Sequence, residues 1–325
     1  MVDRGLWFKE WKQNQVVLLV IFAFLMLINP LSIMSDYFSY QGCLKDNMLE
    51  SCTYIINYSS GGLMQINWAA GIVLAISQIG IERSKGTLDF TLSLPYKKSQ
   101  IFNAKFFMGA AVLTVSQLLG YLFSELLILL LKPDSVMFFH HYVVGMMIIT
   151  FMTYALVMAA GALTGNVFAQ LLTAFTVAIL PFLIITLPAI NIEIIFGRSI
   201  LYRLDQVLTF EVFGYFIPIV YGGTDWIIDS KYILLIPAAM SIIFYLIGYF
   251  SFSKHPSERN GSFFLWKAFD RPVQIIVIAF GILGFGYFGY SAGQSIVGYI
   301  IGMMIGAVVG FLISYFSIYK KTKHQ

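Results

Sequence analysis

Val16-Val17-Leu18-Leu19-Val20-Ile21-Phe22-Ala23-Phe24-Leu25-Met26-Leu27-Ile28 runs for thirteen residues without a polar side chain, then continues through Asn29-Pro30 into more apolar sequence. The run is unbroken and lacks the polar–apolar alternation of a barrel strand. A helix needs roughly 20 such residues to cross a bilayer, and only helices and closed barrels satisfy their own backbone there. Comparable runs recur along the chain. The pattern predicts spans at 16–38, 61–80, 104–131, 142–164, 167–190, 232–252, 272–290 and 295–318. The division between the fourth and fifth rests only on Thr164-Gly165-Asn166. No small-residue cleavage site follows the first run, so it reads as a retained span and not as a signal peptide.

Composition agrees. Of 325 residues, 59% are hydrophobic and 11% charged, with a mean hydropathy of +0.81. Soluble domains carry about 25% charged residues. The fold class expected is an all-α polytopic membrane protein with about eight transmembrane helices. The net charge of +4 is modest, and no basic stripe forms, which argues against nucleic acid as a partner. With the N-terminus inside, 15 of the 20 Lys and Arg residues fall on the cytoplasmic side and 5 on the other. The positive-inside rule therefore places both termini in the cytoplasm.

Leu6–Lys12 carries Trp7 and Trp11 one helical turn apart, with Lys9 and Lys12 able to reach water or head groups. This predicts a surface helix lying against membrane lipid before the first span. Cys43 and Cys52 share the first outer loop. On an oxidising side they are candidates for a disulfide, with two free thiols as the alternative.

Chemistry is sparse. His140 and His141 are adjacent and would diverge on a helix, and no zinc-ligand spacing occurs, so no metal site is expected. There is no P-loop and no serine nucleophile elbow. Catalytic residues are therefore not expected.

The loop between the second and third spans, 81–100, is longer than a minimal connection. It is charged at both ends and holds Leu88, Phe90, Leu92 and Leu94 before Pro95. A short helix stopped by the proline is expected, projecting from the inner face and suited to a soluble partner. The order Glu82-Arg83, a spacer, Gly86-Thr87-Leu88, Asp89, Leu92, Pro95, Ile101 and Lys105 resembles the cytoplasmic coupling region of type-2 ABC exporter permeases. Asn29-Pro30-Leu31-Ser32 and Tyr40-Gln41-Gly42-Cys43 bring the likeness nearest to the permease subunits of the Gram-positive acetoin-utilisation ABC transporter.

The resemblance implies a six-span permease core over 1–252, with the surface helix and the coupling loop. The outer segment 191–230 would form short helices dipping into the membrane. A cytoplasmic linker and a two-span hairpin over 253–325 are additions to the family plan. It also implies a bacterial cell membrane and partner ATPase subunits that hold ATP and Mg. A second permease copy or relative would complete the complex, and the coupling contacts would come from Glu82, Arg83, Lys85, Gly86, Thr87, Leu88, Asp89, Leu92 and Pro95. A complex that transmits force or a signal without moving solute is the alternative. An intramembrane enzyme is a third reading, weakened by the lack of a catalytic constellation.

Within the spans, Gln117, Tyr121, Ser124 and Glu125 are spaced for one helical face. Glu125 is a candidate substrate or gating contact, or else a structural hydrogen-bond partner reaching toward Lys132. Gly298, Gly302, Gly306 and Gly310 recur every four residues. Such a stripe allows close helix packing, either within the last hairpin or at a subunit interface.

Overall fold

The computed structural model describes residues 4–45, 52–58, 66–197, 213–223, 234–254 and 261–319. The predicted outer-leaflet helices fall largely outside these, with Arg198, Arg203, Asp205, Glu211, Asp225 and Asp229. So do Arg259 and the C-terminal lysines.

Seven described helices are long and apolar enough to cross a membrane. They are α1 (Arg4–Lys45), α5 (Lys98–Leu131), α6 (Phe139–Leu163), α7 (Val167–Phe196), α8 (Leu235–Ser253), α9 (Lys267–Gly293) and α10 (Ile296–Ile318). The predicted second span appears as consecutive pieces, α2 (Asn67–Ala75) and a π-helix over Ile76–Ile81, which run on into α3 (Glu82–Ser84) at the start of the following loop. A wide π turn interrupts the α repeat, so this segment is helical without being one long α-helix.

The N-terminal surface helix is not a separate element. Residues from Arg4 onward belong to α1, which runs 42 residues through Pro30 without a break. At 1.5 Å per residue it is about 63 Å long, roughly twice the hydrocarbon core. Its first turns are therefore free to pack on protein instead of lying on lipid. Leu6, Glu10, Asn14, Leu18, Ile21 and Leu25 form one buried stripe. α1 lies closely against α5: a Cβ on Gly120 would stand 3.0 Å from the carbonyl oxygens of Leu25 and Met26.

The described chain groups into two compact units, 1–162 with 220–254, and 163–219 with 255–325. This grouping differs from a cut at residue 252, because α7 joins the C-terminal hairpin. In the first unit, two three-residue strands pair in parallel, β1 (Ile55–Asn57) with β2 (Ser135–Met137). The Tyr54 amide donates to Asp134 Oδ2 at 2.8 Å beside them. A disulfide joins Cys43 to Cys52, with Cα atoms 5.9 Å apart. It ties the end of α1 to the segment entering β1.

In the second unit, Thr164-Gly165-Asn166 ends α6 as expected, and the Asn166 side chain caps α7 by accepting from the Ala169 amide. Asn191 joins three helices: its Nδ2 donates to the Leu283 carbonyl at 3.2 Å, and its Oδ1 accepts from the Tyr299 hydroxyl at 2.9 Å. The glycine stripe of α10 faces α9. A Cβ on Gly302 or Gly306 would collide with the carbonyl oxygens of Phe285 or Gly281, and one on Gly310 would lie 3.0 Å from the Ile278 Cα. The packing is thus within the hairpin.

Candidate functional site

The loop after the second span folds as a helix–turn–helix. Gly86 takes a left-handed conformation, φ +70°, which glycine adopts without steric cost. The chain reverses there and α4 (Thr87–Leu92) follows. Pro95 lies beyond its end, and α5 opens at Lys98 with the Lys97 amide donating to Gln100 Oε1 at 3.0 Å.

The side chains of this segment divide sharply. Phe90 is 67% exposed, and Lys85, Gly86, Asp89 and Pro95 of the same segment are exposed as well. Leu88, expected at the centre of a docking contact, is instead fully buried. It anchors α4 to the body of the protein, and Leu92 is half-buried. Glu82 and Arg83 are buried as well, so they hold the loop from within and are not exposed contacts. The Arg83 guanidinium donates to the Gly161 carbonyl at 2.9 Å. Burial pushes it down to about 10, against the pull of Asp89.

Beneath the loop lies a polar cluster that sequence reasoning missed. Lys105 is fully buried on α5. Its Nζ donates to Glu10 Oε2 at 2.7 Å and to Glu82 Oε2. The remaining oxygens are also engaged: Lys9 Nζ reaches Glu10 Oε1 at 2.9 Å, and Asn14 Nδ2 donates to Glu82 Oε1 at 2.7 Å. Two further bonds run from α1 to α4, Gln13 Nε2 to Thr87 Oγ1 at 2.9 Å and Lys9 Nζ to Thr91 Oγ1 at 2.6 Å. Above the cluster, Gln78 in the π turn donates to the Lys105 carbonyl at 3.0 Å, and the Tyr154 hydroxyl donates to Gln78 Oε1 at 2.7 Å.

One signal for the cluster was present in the sequence. Glu10 and Asn14 fall on the period set by Leu6, Leu18, Ile21 and Leu25, and a polar residue on an apolar stripe needs a partner. The identity of that partner, 95 residues away, was not legible.

The predicted face of α5 splits in two. Gln117 and Ser124 are buried and flank Gly120, which meets α1; Gln117 Nε2 donates to the Leu113 carbonyl of its own helix. Tyr121 and Glu125 turn toward the start of α6. There His140 Nδ1 lies 3.0 Å from the Tyr121 hydroxyl and 3.1 Å from Glu125 Oε1. An open cleft of about 420 Å³ between α5, α6 and α8 is lined by Phe106, Phe107, Phe151 and Tyr245 among other mostly apolar groups, and by none of the four predicted residues.

These observations define a multi-pass helical protein of the cell membrane with a small ordered helix outside its spans. The chain is 59% identical to the probable ABC transporter permease YtrC of Bacillus subtilis (strain 168), over 99% of this chain and all of the relative. It is 56% identical to the probable ABC transporter permease YtrD of the same organism, over 99% of each. The chain belongs to the ABC transporter permease family. No protein-family model matches it, and no solved structure does.

Proposed function

We propose that this chain is the membrane subunit that converts ATP hydrolysis by partner ATPase subunits into substrate movement, with α4 as the helix on which the ATPase docks. The exposed Phe90, in a segment that also exposes the charged Lys85 and Asp89, carries this reading. An aromatic anchor within a charged rim is the usual anatomy of a protein-binding hot spot. ATP and Mg are held by the partners, and this chain carries no ATPase site of its own. Both termini and α4 lie on the cytoplasmic side, as the distribution of basic residues favours. Two relatives of this chain in one organism support a complex built from a pair of permeases, alike or different.

We read the arrangement as that of a type-2 exporter, with rigid-body motion of the helices giving access to the two sides in turn. Tyr121, Glu125 and His140 would sit at the outer end of the path. The likeness to the acetoin-utilisation system makes acetoin the first solute to assay.

The test is Phe90→Asp. The side chain is solvent-facing, so folding and membrane insertion survive, while recovery of the ATPase in co-purification from mild detergent is lost. Undiminished recovery would place the docking site elsewhere.

A further inference from the structure

We infer that Lys105 is the positioning residue that passes displacement of α4 to α1 as well as to α5, making the loop and the first turns of α1 one moving body. This rests on the docking reading above. The argument begins with the completeness of the cluster. All four oxygens of Glu10 and Glu82 are engaged, and among the described residues Lys105 alone bonds to both carboxylates. The residues belong to three elements: Glu10 to α1, Glu82 to α3 and Lys105 to α5. Lys105 and both carboxylates are at most 3% exposed.

Buried ion pairs contribute little net stability, because desolvation offsets the attraction, and apolar replacements often stabilise. Separating the partners is different, since it strands a buried charge. The arrangement therefore adds little to stability but strongly resists shear between α1, α3 and α5. The two α1-to-α4 bonds, through Gln13 and Lys9, extend the same body to the docking helix. From there the close α1–α5 contact at Gly120 carries the displacement toward the outer side.

The experiment uses the complete complex with its ATPase in lipid nanodiscs, comparing nucleotide-free and ATP–vanadate-trapped states by hydrogen–deuterium exchange. In the wild type, residues 82–97 and residues 4–14 both change on trapping. Glu10→Met leaves Lys105 paired with Glu82, and Lys9, a quarter exposed, keeps its bond to Thr91, so the complex assembles with an unchanged thermal midpoint. The response of 82–97 persists, and that of 4–14 falls in this variant and is lost when Lys9→Met and Gln13→Ala also remove the direct α1-to-α4 bonds. Glu10→Gln, of nearly the same shape, is the second variant and shows the same fall. Lys105→Arg, which still reaches two carboxylates, keeps both responses. A purely structural role would shift the midpoint and leave the nucleotide response intact. An undiminished response of 4–14 in either Glu10 variant overturns the inference, as does a wild type in which only 82–97 responds. A wild-type complex in which 82–97 itself is silent overturns the docking reading, and this inference with it.

Discussion

Leu88 and Phe90 are two residues apart on α4 and meet opposite surroundings. Leu88 is fully buried and Phe90 is 67% exposed, because a two-residue step on a helix turns roughly 200°. The same change therefore has different results at the two positions. Leu88→Asp puts an unpaired charge into the packed base of the loop, which costs several kcal/mol. It is expected to lower the thermal midpoint and the yield of monodisperse protein on size exclusion. Phe90→Asp leaves both unchanged and removes only the partner. A Leu88→Asp protein with wild-type stability would show that the base of α4 is not held as described. The leucine spacing marked a short helix, but which of its faces met the body depended on α1 and α5 coming together under it.

At the scale of elements, the α9–α10 hairpin is set by backbone proximity. Gly302 and Gly306 admit no Cβ against Phe285 and Gly281, whereas Gly284 has open space around it. Overpacking a close contact costs about 1–3 kcal/mol. Gly302→Leu is expected to destabilise the protein by at least that amount in a thermal-shift assay, and Gly284→Ala to be tolerated. Equal midpoints for the two variants would remove the hairpin-packing account. The four-residue glycine repeat was legible in the sequence, since it gives a helix one flat face. The strands β1 and β2 were not. Three residues leave no periodicity to read, and their partners are about 80 residues apart. The surface helix does not separate from the span, for a related reason: Trp7 and Trp11 fit a membrane interface, but the buried stripe through Glu10 and Asn14 continues the period of the span.

For the molecule as a whole, topology gives a separate test. The disulfide of Cys43 and Cys52 should lie outside the cell and both termini inside. An impermeant maleimide applied to intact cells is expected to label these cysteines only after mild reduction. Labelling that also needs lysis would invert the orientation. Breaking the bridge by a Cys43→Ser, Cys52→Ser double variant is expected to cost roughly 2–3 kcal/mol, the entropic worth of a short closed loop. That loss would appear as a lower thermal midpoint without loss of insertion, because the spans are held by lipid and by each other.

By itself, the sequence determined the membrane class, the positions of the spans to within a few residues at most ends, and the break at Thr164-Gly165-Asn166. Each is a local property: apolar length against a fixed bilayer thickness, or a cap at a helix end. It also singled out 81–100 by charge, glycine and proline in order. Tertiary structure decided what those residues do. It turned Glu82, Arg83 and Leu88 inward and left Phe90 outside. It also gave Lys105 two carboxylates from helices distant in sequence. A charge on a membrane helix demands a partner for physical reasons that any sequence displays. Which partner it finds depends on helix contacts made across the fold, and no local pattern encodes them.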